Sequence, residues 1–504
     1  MKKPSKKATA IFLSILFGII YTLGVSIATI CIWYNATFDM QFKELLYVLT
    51  SPLQGTGQST IDLILSSCVP PVCILVALYV AVVILLFVGK RRIYRKLRRV
   101  GAALSVLVLL GSLTYAFVVL KIPFYLQSIS QKSTIYEDYY VSPADVAITA
   151  DGKTKNLIYI YLESMETTYA SKAEGGSQKE NYIPGLTALA KEHLSFTDDA
   201  GKLGGFHTPM GTECTAAALL STTSGVPDSY PINPGEDANM SQKSFSKNLI
   251  TLGDILNERG YKQEFLCGSN GDFGSRKTYF TEHGNYEVYD YYSAIEEGKI
   301  PEDYYVWWGY EDAKLYEIAK QEIADLAAGD QPFNFTMLTV DPHHVNGYIC
   351  AECDKTAKEV ENKDGEHLAT VLRCADRLLT EFIAWCMEQP FYEDTVIVIT
   401  GDHPRMDTTL VKHTDDFDRT MYNCIINSDT ECLGATTRTF TSFDIFPTTL
   451  AAMGFTIEGN QLGFGVNLFS GEATLVERLG YDYFEIEINK YSEFYIREFT
   501  RKED

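Results

Sequence analysis

Positive charge is scarce over most of this chain. Of its 43 Lys and Arg residues, 12 lie within residues 1–120, which leaves 31 basic against 62 acidic residues in the remainder. A region with a formal charge of −31 repels polyanions, which excludes nucleic acid as a partner and excludes adsorption to anionic lipid through bulk charge. Any anionic substrate must therefore be bound at a local site, such as a metal ion or an arginine.

Charge is also nearly absent from three long apolar stretches, residues 8–34, 61–89 and 100–120, where only Asp62 is charged. Each is long enough for a transmembrane helix, which needs about 20 residues. A secretory signal peptide is the alternative for the first stretch. That stretch exceeds an h-region of about 7–15 residues and lacks a clear small-residue cleavage site, so we interpret it as a retained helix.

Basic residues flank these stretches in two clusters, one within residues 2–7 and one within residues 90–99. A basic run can also bind nucleic acid, but a run between two membrane spans is typical of a topology signal. The positive-inside rule places both clusters in the cytoplasm. We therefore expect a multi-pass protein of the cytoplasmic membrane with a cytoplasmic N-terminus and an extracytoplasmic domain. The expected organisation is a membrane region (1–125), a linker (126–155), a catalytic domain (156–475) and a C-terminal extension (476–504).

A second set of paired cysteines, which a zinc ribbon requires, is missing from the chain. Cys350, Cys353 and Cys374 remain as a group with some metal-like spacing. Because an exported domain permits disulfides, we expect a disulfide among these three, with free thiols as the alternative.

From residue 156 onward, strand patterns alternate with helix patterns. The runs NLIYIYL (156–162) and TVIVIT (395–400) are typical of buried parallel strands. Further strands are predicted at 263–267 and 334–340, and helices at 249–259, 311–328 and 367–389. This alternation predicts an α/β domain with a mostly parallel central sheet. The tail, 481–504, fits either a hairpin or a helix.

Two of the apolar strands run directly into metal-binding residue types. Glu163 follows the first, and Asp402 and His403 follow the second. Ligands collect at the carboxyl ends of strands in parallel sheets, and two carboxylates with an imidazole suit Mn²⁺, Zn²⁺ or Mg²⁺. Taken alone, Glu163 also fits an exposed strand end and Asp402 a helix cap. Together they predict one divalent metal site.

A glycine-containing turn, GTECT (211–215), leads into an Ala- and Leu-rich helix. A threonine there lies beside free backbone N–H groups and the positive end of the helix dipole, which stabilise an anion. Such a hydroxyl can be ionised by a metal and attack phosphorus. The simpler interpretation is that Thr212 or Thr215 only caps the helix.

A fourth element, Val340-Asp341-Pro342-His343-His344, ends another apolar strand. An imidazole in this place can donate to a phosphate oxygen or protonate a leaving group. Neighbouring side chains of an extended segment point to opposite sides, so we expect at most one of the two histidines to face the site.

These four elements, in this order, resemble the lipoteichoic acid synthase and phosphoglycerol transferase branch of the sulfatase-like superfamily. The most similar members are the transferases that decorate periplasmic glucans with phosphoglycerol. The resemblance spans most of residues 156 to about 469 and is clearest in NLIYIYLESMETTY, GTECTAAALLSTTSGVP, LTVDPHHVNGY and FYEDTVIVITGDH. It implies an alkaline-phosphatase-like α/β fold and one divalent metal, with Mn²⁺ expected and Zn²⁺ or Mg²⁺ as alternatives.

The resemblance also implies roles for single residues. The metal ligands are matched by Glu163, Asp402 and His403, and the nucleophile and further ligand by Thr215, with Thr212 as the fallback. The substrate-binding residues are matched by His343 and Arg276.

Cys267, Ser269 and Gly274 stand where lipoteichoic acid synthases have a histidine, an aspartate and a tryptophan. This departure bears on the acceptor and leaves the metal and nucleophile positions intact. The Cys/Ser-x-Pro-Ser-Arg signature of true sulfatases is also missing, because residues 214–218 (CTAAA) contain neither Pro nor Arg.

The function that the resemblance implies is transfer of phosphoglycerol from a membrane lipid, with phosphatidylglycerol expected. The group would pass through a phospho-threonine-type intermediate to a glycan or glycerophosphate acceptor outside the membrane. A phosphoethanolamine transferase of the same superfamily and a non-catalytic membrane-anchored binding protein are the alternatives.

Overall fold

The structure is a computed structural model that describes residues 6–38, 42, 45–46, 58–88, 92–150, 152, 154–228, 246, 248–353, 365–411 and 417–500. These residues fall into two compact units. The first lies within Met1–Leu45 and Gly57–Gln127, and the second within Leu46–Thr56 and Ser128–Asp504.

The first unit consists of three long helices, α1 (Lys6–Thr37), α2 (Gln58–Val88) and α3 (Arg92–Val119). All three are long and apolar enough to cross a membrane, which confirms the three predicted apolar helices. Helix α3 begins earlier than the predicted residue 100, because the Arg and Lys residues that precede the apolar stretch are good helix formers. Four residues of the two basic clusters, Lys2, Lys3, Lys90 and Arg91, and most of the loop between α1 and α2 lie outside the described residues.

A glycine lets two of these helices pack closely. A Cβ atom on Gly24 of α1 would lie 2.9 Å from the backbone of Leu109 in α3. Small residues at helix crossings in lipid allow such close backbone approach, and van der Waals packing then holds the helices together.

The second unit is built on a six-stranded sheet. The strands are β2 (Asn156–Leu162), β3 (Lys262–Cys267), β4 (Glu287–Tyr289), β5 (Phe333–Leu338), β6 (Thr395–Gly401) and β7 (Asn423–Ile426). Their order in the sheet is β4-β3-β5-β2-β6-β7. The first five strands in this order are parallel to one another, whereas β7 is antiparallel to β6. The predicted α/β domain with a mostly parallel central sheet is confirmed.

Strand β2 is apolar and buried from Leu157 to Leu162 because both faces of the sheet are covered. Successive side chains of a strand point to opposite faces. Accordingly, one buried cluster contains Leu157, Tyr159 and Tyr161, and another contains Ile158, Ile160 and Leu162.

Helices pack on both faces of this sheet. The helices that follow α3 along the chain are α4 (Ile122–Ser130), α5 (Ile135–Tyr139), α6 (Pro184–Glu192), α7 (Thr215–Ser224), α8 (Leu252–Glu258), α9 (Arg276–Glu282), α10 (Tyr291–Glu296), α11 (Asp312–Ala327), α12 (Glu366–Met387), α13 (Ile445–Ala452), α14 (Leu475–Leu479), α15 (Tyr481–Ile488) and α16 (Glu493–Tyr495). Side chains of α7 and α13 lie in the first buried cluster, and those of α6, α11 and α12 in the second.

Short two-stranded pairings complete the second unit. Strand β1 (Ile148–Thr149) pairs with β8 (Thr456–Ile457), and β9 (Gln461–Leu462) pairs with β10 (Gly465–Val466). Ile148 and Thr149 of the predicted linker therefore pair with the domain, and Ile135 and Tyr136 are buried in the first cluster. In the described part of the tail, residues 481–488 and 493–500 are helical, and Phe484 and Tyr495 join the same cluster.

The expected disulfide is present and joins Cys353 to Cys374 of helix α12. Cys350 is the third member of the group, with its Sγ 3.5 Å from that of Cys353 and 4.0 Å from that of Cys374.

Candidate active site

The carboxyl ends of two neighbouring parallel strands bring the predicted metal ligands together. Strands β2 and β6 are paired in register, with Leu162 opposite Gly401. The next residue of each strand, Glu163 and Asp402, therefore stands at the same edge of the sheet. Both side chains are buried, and the positive φ of Ser164, 51°, turns the chain away immediately afterwards.

Four side-chain groups meet at this edge. Oγ1 of Thr215 lies 3.4 Å from Oε2 of Glu163 and 3.3 Å from Nε2 of His403. That Nε2 also lies 3.6 Å from Oε1 of Glu163 and 3.4 Å from Oδ2 of Asp402. Residues 163, 215, 402 and 403, far apart in the sequence, thus converge on one point.

Neighbouring hydrogen bonds fix the orientation of these groups. The backbone N–H groups of Ser164 and His403 donate to Oδ1 of Asp402 at 2.8 and 2.7 Å. The Ser164 hydroxyl donates to Oε1 of Glu163 at 2.8 Å. Nδ1 of His403 lies 2.9 Å from the carbonyl oxygen of Pro404. That carbonyl can only accept, so it places the proton on Nδ1 and leaves the Nε2 lone pair directed at the carboxylates.

Burial and mutual repulsion make the site unfavourable for two unneutralised carboxylates. The pKa of Asp402 is raised to about 6: burial is the largest cause, the charge of His403 opposes the rise, and the charge of Glu163 adds to it. Burial lowers the pKa of His403, but the negative charges of Asp402 and Glu163 outweigh it and raise this pKa above the usual value. The site therefore favours an added positive charge.

The residues present fit a divalent cation. Oδ2 of Asp402 is buried and has no hydrogen-bond partner among the residues that the structure describes. Metal ligands with bonds of about 2.0–2.1 Å are separated by roughly 3–3.5 Å, close to the 3.3–3.6 Å spacings found here. Two oxygen anions and an unprotonated imidazole nitrogen are the ligand types that Mn²⁺, Zn²⁺ and Mg²⁺ accept.

Thr215 opens helix α7, and its position differs from that of Thr212. Cys214 precedes the helix with extended backbone dihedral angles, and no side chain caps the first turn. The N–H groups of this turn accordingly face the same space as Oγ1 of Thr215. The hydroxyl of Thr212 is buried and donates to the carbonyl oxygen of Pro209 at 2.6 Å. The structure thus places Thr215, and not the fallback Thr212, against the metal-binding side chains.

His343 lies beyond the end of strand β5, the other neighbour of β2. Burial lowers its pKa to about 4, so the ring is neutral at neutral pH. Nδ1 donates to the carbonyl oxygen of His344 at 2.7 Å, which leaves Nε2 as a hydrogen-bond acceptor. The ring packs against Trp308 with 4.4 Å between centroids.

The expectation that His343 and His344 point to opposite sides is wrong. Their rings stack with centroids 4.2 Å apart and 26° between planes. Strand β5 ends at Leu338, so the histidines lie in an irregular turn where the alternation of an extended strand does not apply.

Arg276 is not among the four converging groups. Its Nε donates to the carbonyl oxygen of Phe273, and Nη2 donates to Ser269 Oγ and to the carbonyl oxygen of Asn270. The guanidinium thus organises its own loop, which touches the His343 region through the Phe273 and Trp308 rings, 5.2 Å apart. Its Nη1 group makes no hydrogen bond among the described residues.

The sequence interpretation missed a buried charge network behind the site. Glu166 is fully buried and accepts from the guanidinium of Arg419 at 2.9 and 2.6 Å and from the backbone N–H of Arg405 at 2.7 Å. The Arg405 guanidinium donates to the carbonyl oxygen of Pro342 at 2.7 Å. It thereby links the segment after β6 to the segment that carries His343. The nearness of Glu166 and Arg405 to the two metal-binding motifs was the only available signal.

Comparisons with known proteins give the fold and site a family. The Sulfatase family model matches residues 155–455. Phosphoglycerol transferase I of Salmonella typhi is 30% identical over 390 residues, which are 76% of this chain and 47% of the relative. The protein of the same name from Salmonella choleraesuis (strain SC-B67) is 29% identical over 433 residues, covering 85% and 53%. This chain thus spans about half the length of the curated relatives it matches.

Among solved structures, the lipoteichoic acid synthase LtaP of Listeria monocytogenes has a TM-score of 0.50 at 19% identity, over 64% of this chain and 79% of that protein. This likeness concerns the fold alone. The mostly parallel sheet, covered on both faces and carrying acidic and imidazole groups at its carboxyl edge, defines a sulfatase-like fold of the alkaline phosphatase superfamily. The chain belongs to the Sulfatase family.

Proposed function

We propose that this chain is a membrane-anchored phosphotransferase that moves phosphoglycerol from a lipid, phosphatidylglycerol, to a hydroxyl of a glycan or glycerophosphate acceptor. The observation that carries the proposal is the contact of Thr215, at the start of α7, with Glu163 and His403. The relatives named phosphoglycerol transferase I support the choice of the group that is moved. Three apolar helices support a lipid donor, whose headgroup lies at the bilayer surface.

Glu163, Asp402 and His403 would hold one divalent cation, with Thr215 as a further ligand and Mn²⁺ as the expected metal. When bound, such a cation lowers the pKa of a coordinated hydroxyl and offsets charge on the phosphoryl group. The protein supplies the fixed positions of these four groups and the exclusion of water by burial.

The transfer has two steps at Thr215. In the first, Oγ1 bonds to phosphorus, the bond from phosphorus to the diacylglycerol oxygen breaks, and that oxygen takes the threonine proton. In the second, the acceptor oxygen bonds to phosphorus as its proton passes to Nε2 of His343, the bond to Oγ1 breaks, and His343 then gives the proton to Oγ1 of Thr215. The N–H groups and dipole of the first turn of α7 stabilise the charge on the phosphoryl oxygens in both steps.

His343 and Arg276 complete the proposed substrate site. The neutral His343 ring offers Nε2 as a base for the proton of the acceptor hydroxyl. The Nη1 group of Arg276, which its own loop does not use, is suited to an anionic oxygen of the substrate.

The cytoplasmic membrane is the proposed location, with the N-terminus and the two basic clusters in the cytoplasm. The support is the distribution of Lys and Arg around the apolar helices. In spheroplasts, added protease should digest the domain after residue 123, and a tag at the N-terminus should be cut only after the membrane is permeabilised. An N-terminal tag that is cut in intact spheroplasts would reverse the proposed orientation.

Lipid turnover tests the function directly. The full-length protein is reconstituted in vesicles of phosphatidylglycerol with Mn²⁺, and diacylglycerol is measured with and without chelator. We expect metal-dependent release of diacylglycerol by the unaltered chain and none by the Thr215→Ala variant. Absence of diacylglycerol from every phospholipid supplied would refute a transferase and leave a binding protein.

The transferred group is identified by mass. In vesicles of phosphatidylglycerol and phosphatidylethanolamine without acceptor, the peptide that contains Thr215 should gain the mass of glycerophosphate. Gain of the mass of phosphoethanolamine would assign the chain to the alternative transferase.

A further inference from the structure

A second group of metal-binding side chain types lies outside the proposed active site. Asp198, His207 and Asp418 each offer one ligand atom, and these atoms lie within 4.8 Å of one another. Nδ1 of His207 is 3.6 Å from Oδ1 of Asp418. The ligands of a four-coordinate Zn²⁺ are separated by roughly 3.4 Å. The His207–Asp418 spacing is therefore already close to that of two ligands of one ion.

His207 is held rigidly, yet its ring nitrogens are not hydrogen-bonded within the described part of the chain. Only 8% of the residue is exposed. Its backbone N–H donates to Phe440 at 2.9 Å, its carbonyl accepts from Ser442 at 3.0 Å, and its ring packs on Tyr481 at 5.0 Å. The 3.6 Å between Nδ1 of His207 and Oδ1 of Asp418 exceeds a hydrogen-bond distance. An imidazole so fixed and facing two carboxylates has the arrangement of a metal ligand.

The two carboxylates differ in a way that suits an accessible site. Oδ1 of Asp198 accepts from the backbone N–H of Gly205 at 3.3 Å, which holds it in place. Burial raises the pKa of Asp198, and the charge of Asp418 adds to the rise while His207 opposes it. The Asp418 side chain is 71% exposed, so it is able to close on an ion that enters from solvent.

We propose that Asp198, His207 and Asp418 bind a second divalent metal ion, for which Zn²⁺ is the best match. An imidazole with two carboxylates is a common Zn²⁺ ligand set, and water completes the coordination. The ion would join three segments of the chain, which contain Asp198, His207 and Asp418. The segment of His207 leads to Thr215, and Asp418 precedes Arg419, the residue that pairs with Glu166. This role goes beyond the proposed transfer reaction and does not depend on it.

Metal counting separates the two sites. The full-length protein in detergent, kept without reductant so that the disulfide persists, is dialysed against micromolar Zn²⁺ and analysed for bound zinc. We expect two ions per unaltered chain, one for Asp402→Ala, and none for Asp402→Ala combined with His207→Ala. An Asp402→Ala protein that binds no zinc, or a double variant that still binds one ion, would overturn the proposal.

An exposed residue provides a variant that should fold. In the Asp402→Ala protein, Asp418→Asn should weaken Zn²⁺ binding by at least about tenfold, since even changes beyond the direct ligands cause such losses. The matched control is Asp199→Asn, an exposed neighbour of Asp198 that pairs with Lys202 and should leave the affinity unchanged. If His207 is instead protonated and only forms an ion pair with Asp418, none of the proteins that carry Asp402→Ala should bind zinc.

Discussion

Oγ1 of Thr215 lies 3.3 Å from Nε2 of His403, although 188 positions separate the two residues in the chain. The helix that starts at Thr215 and the strand that ends before Asp402 are each specified locally. Their meeting point depends on how both elements pack against β2.

The hydroxyl of Thr215 should be required for lipid cleavage, whereas that of Thr212 should not. Thr215→Ala removes the proposed nucleophile and retains Glu163, Asp402 and His403, so activity should fall to background while Mn²⁺ binding is nearly unchanged. Thr212→Ala removes a buried hydrogen bond to Pro209 and should cost about 1 kcal/mol of stability. Diacylglycerol release and metal binding measured on both variants check this. Retained cleavage by Thr215→Ala together with loss by Thr212→Ala would move the nucleophile to Thr212.

The Asp402→Asn variant should be more stable than the unaltered protein without metal and less stable than it with metal. Without metal, burial together with the charge of Glu163 disfavours the ionised form of Asp402 more than His403 favours it, and the neutral amide removes that cost. With Mn²⁺ at 100 times its dissociation constant, the unaltered chain gains about 2.7 kcal/mol, which a variant that binds poorly does not. Thermal unfolding in chelator should therefore rank the variant above the unaltered protein, and unfolding in Mn²⁺ should rank it below. The same ranking in both conditions would argue against metal binding at Asp402.

The ion pair of Glu166 and Arg419 should make stability depend on acid pH. Burial raises the pKa of Glu166, but Arg419 and the other hydrogen-bond donors outweigh it and lower that pKa below its usual value. The stabilisation that this ion pair provides is therefore complete above about pH 4.3, which is the pKa of a glutamate in the unfolded chain. It is lost as the pH falls through the lower pKa of Glu166 in the folded protein.

Arg419→Met tests this coupling. It leaves Glu166 buried without its counter-ion and should cost about 3–5 kcal/mol at pH 7. Because the unpaired carboxyl then favours its protonated form, the deficit should shrink as the pH is lowered toward 4. The control is the double variant Glu166→Gln/Arg419→Met, whose deficit should be smaller at pH 7 and nearly independent of pH. A constant deficit for the single variant would contradict the assignment.

The disulfide between Cys353 and Cys374 should stabilise the domain by about 3 kcal/mol, the value for a loop of its length, with 21 residues of separation. Because Cys350 is near enough to replace a lost partner, the comparison is made within Cys350→Ser. Adding Cys374→Ser should lower the unfolding temperature, and a reductant should lower that of Cys350→Ser alone. A reductant effect that survives Cys374→Ser would assign the stabilising bond elsewhere.

Gly225, which ends helix α7, should tolerate alanine far less than Gly260 does. Both have left-handed φ values, 71° and 79°, where alanine costs about 1–2 kcal/mol. A Cβ on Gly225 would also lie 2.7 Å from the carbonyl oxygen of Leu462, whereas one on Gly260 would contact nothing within 4 Å. Chemical unfolding should show a larger loss for Gly225→Ala. Equal losses of unfolding free energy would mean that the backbone at Leu462 moves away from the added methyl group without destabilising the protein.

Much of the fold was predictable because its signals are local. Burial on both faces leaves strand β2 with an uninterrupted apolar run, NLIYIYL, and the predicted and observed bounds of this strand coincide. The membrane helices were predictable for the same reason, since length and lack of charge are properties of a continuous segment. The end of strand β5 was not predicted correctly, because the strand ends at Leu338, two residues before its predicted end. His343 and His344 therefore lie in a turn, where their rings stack.

The sequence alone therefore determined which residue types stand at the ends of the strands and at the start of helix α7. Only the tertiary structure decided that Thr215 rather than Thr212 meets Glu163 and His403, that Arg419 neutralises Glu166, and that Asp198 lies near His207 and Asp418. The physical reason is that strand and helix patterns reflect burial of neighbouring residues, whereas these contacts join segments whose distance is set by packing of the whole domain.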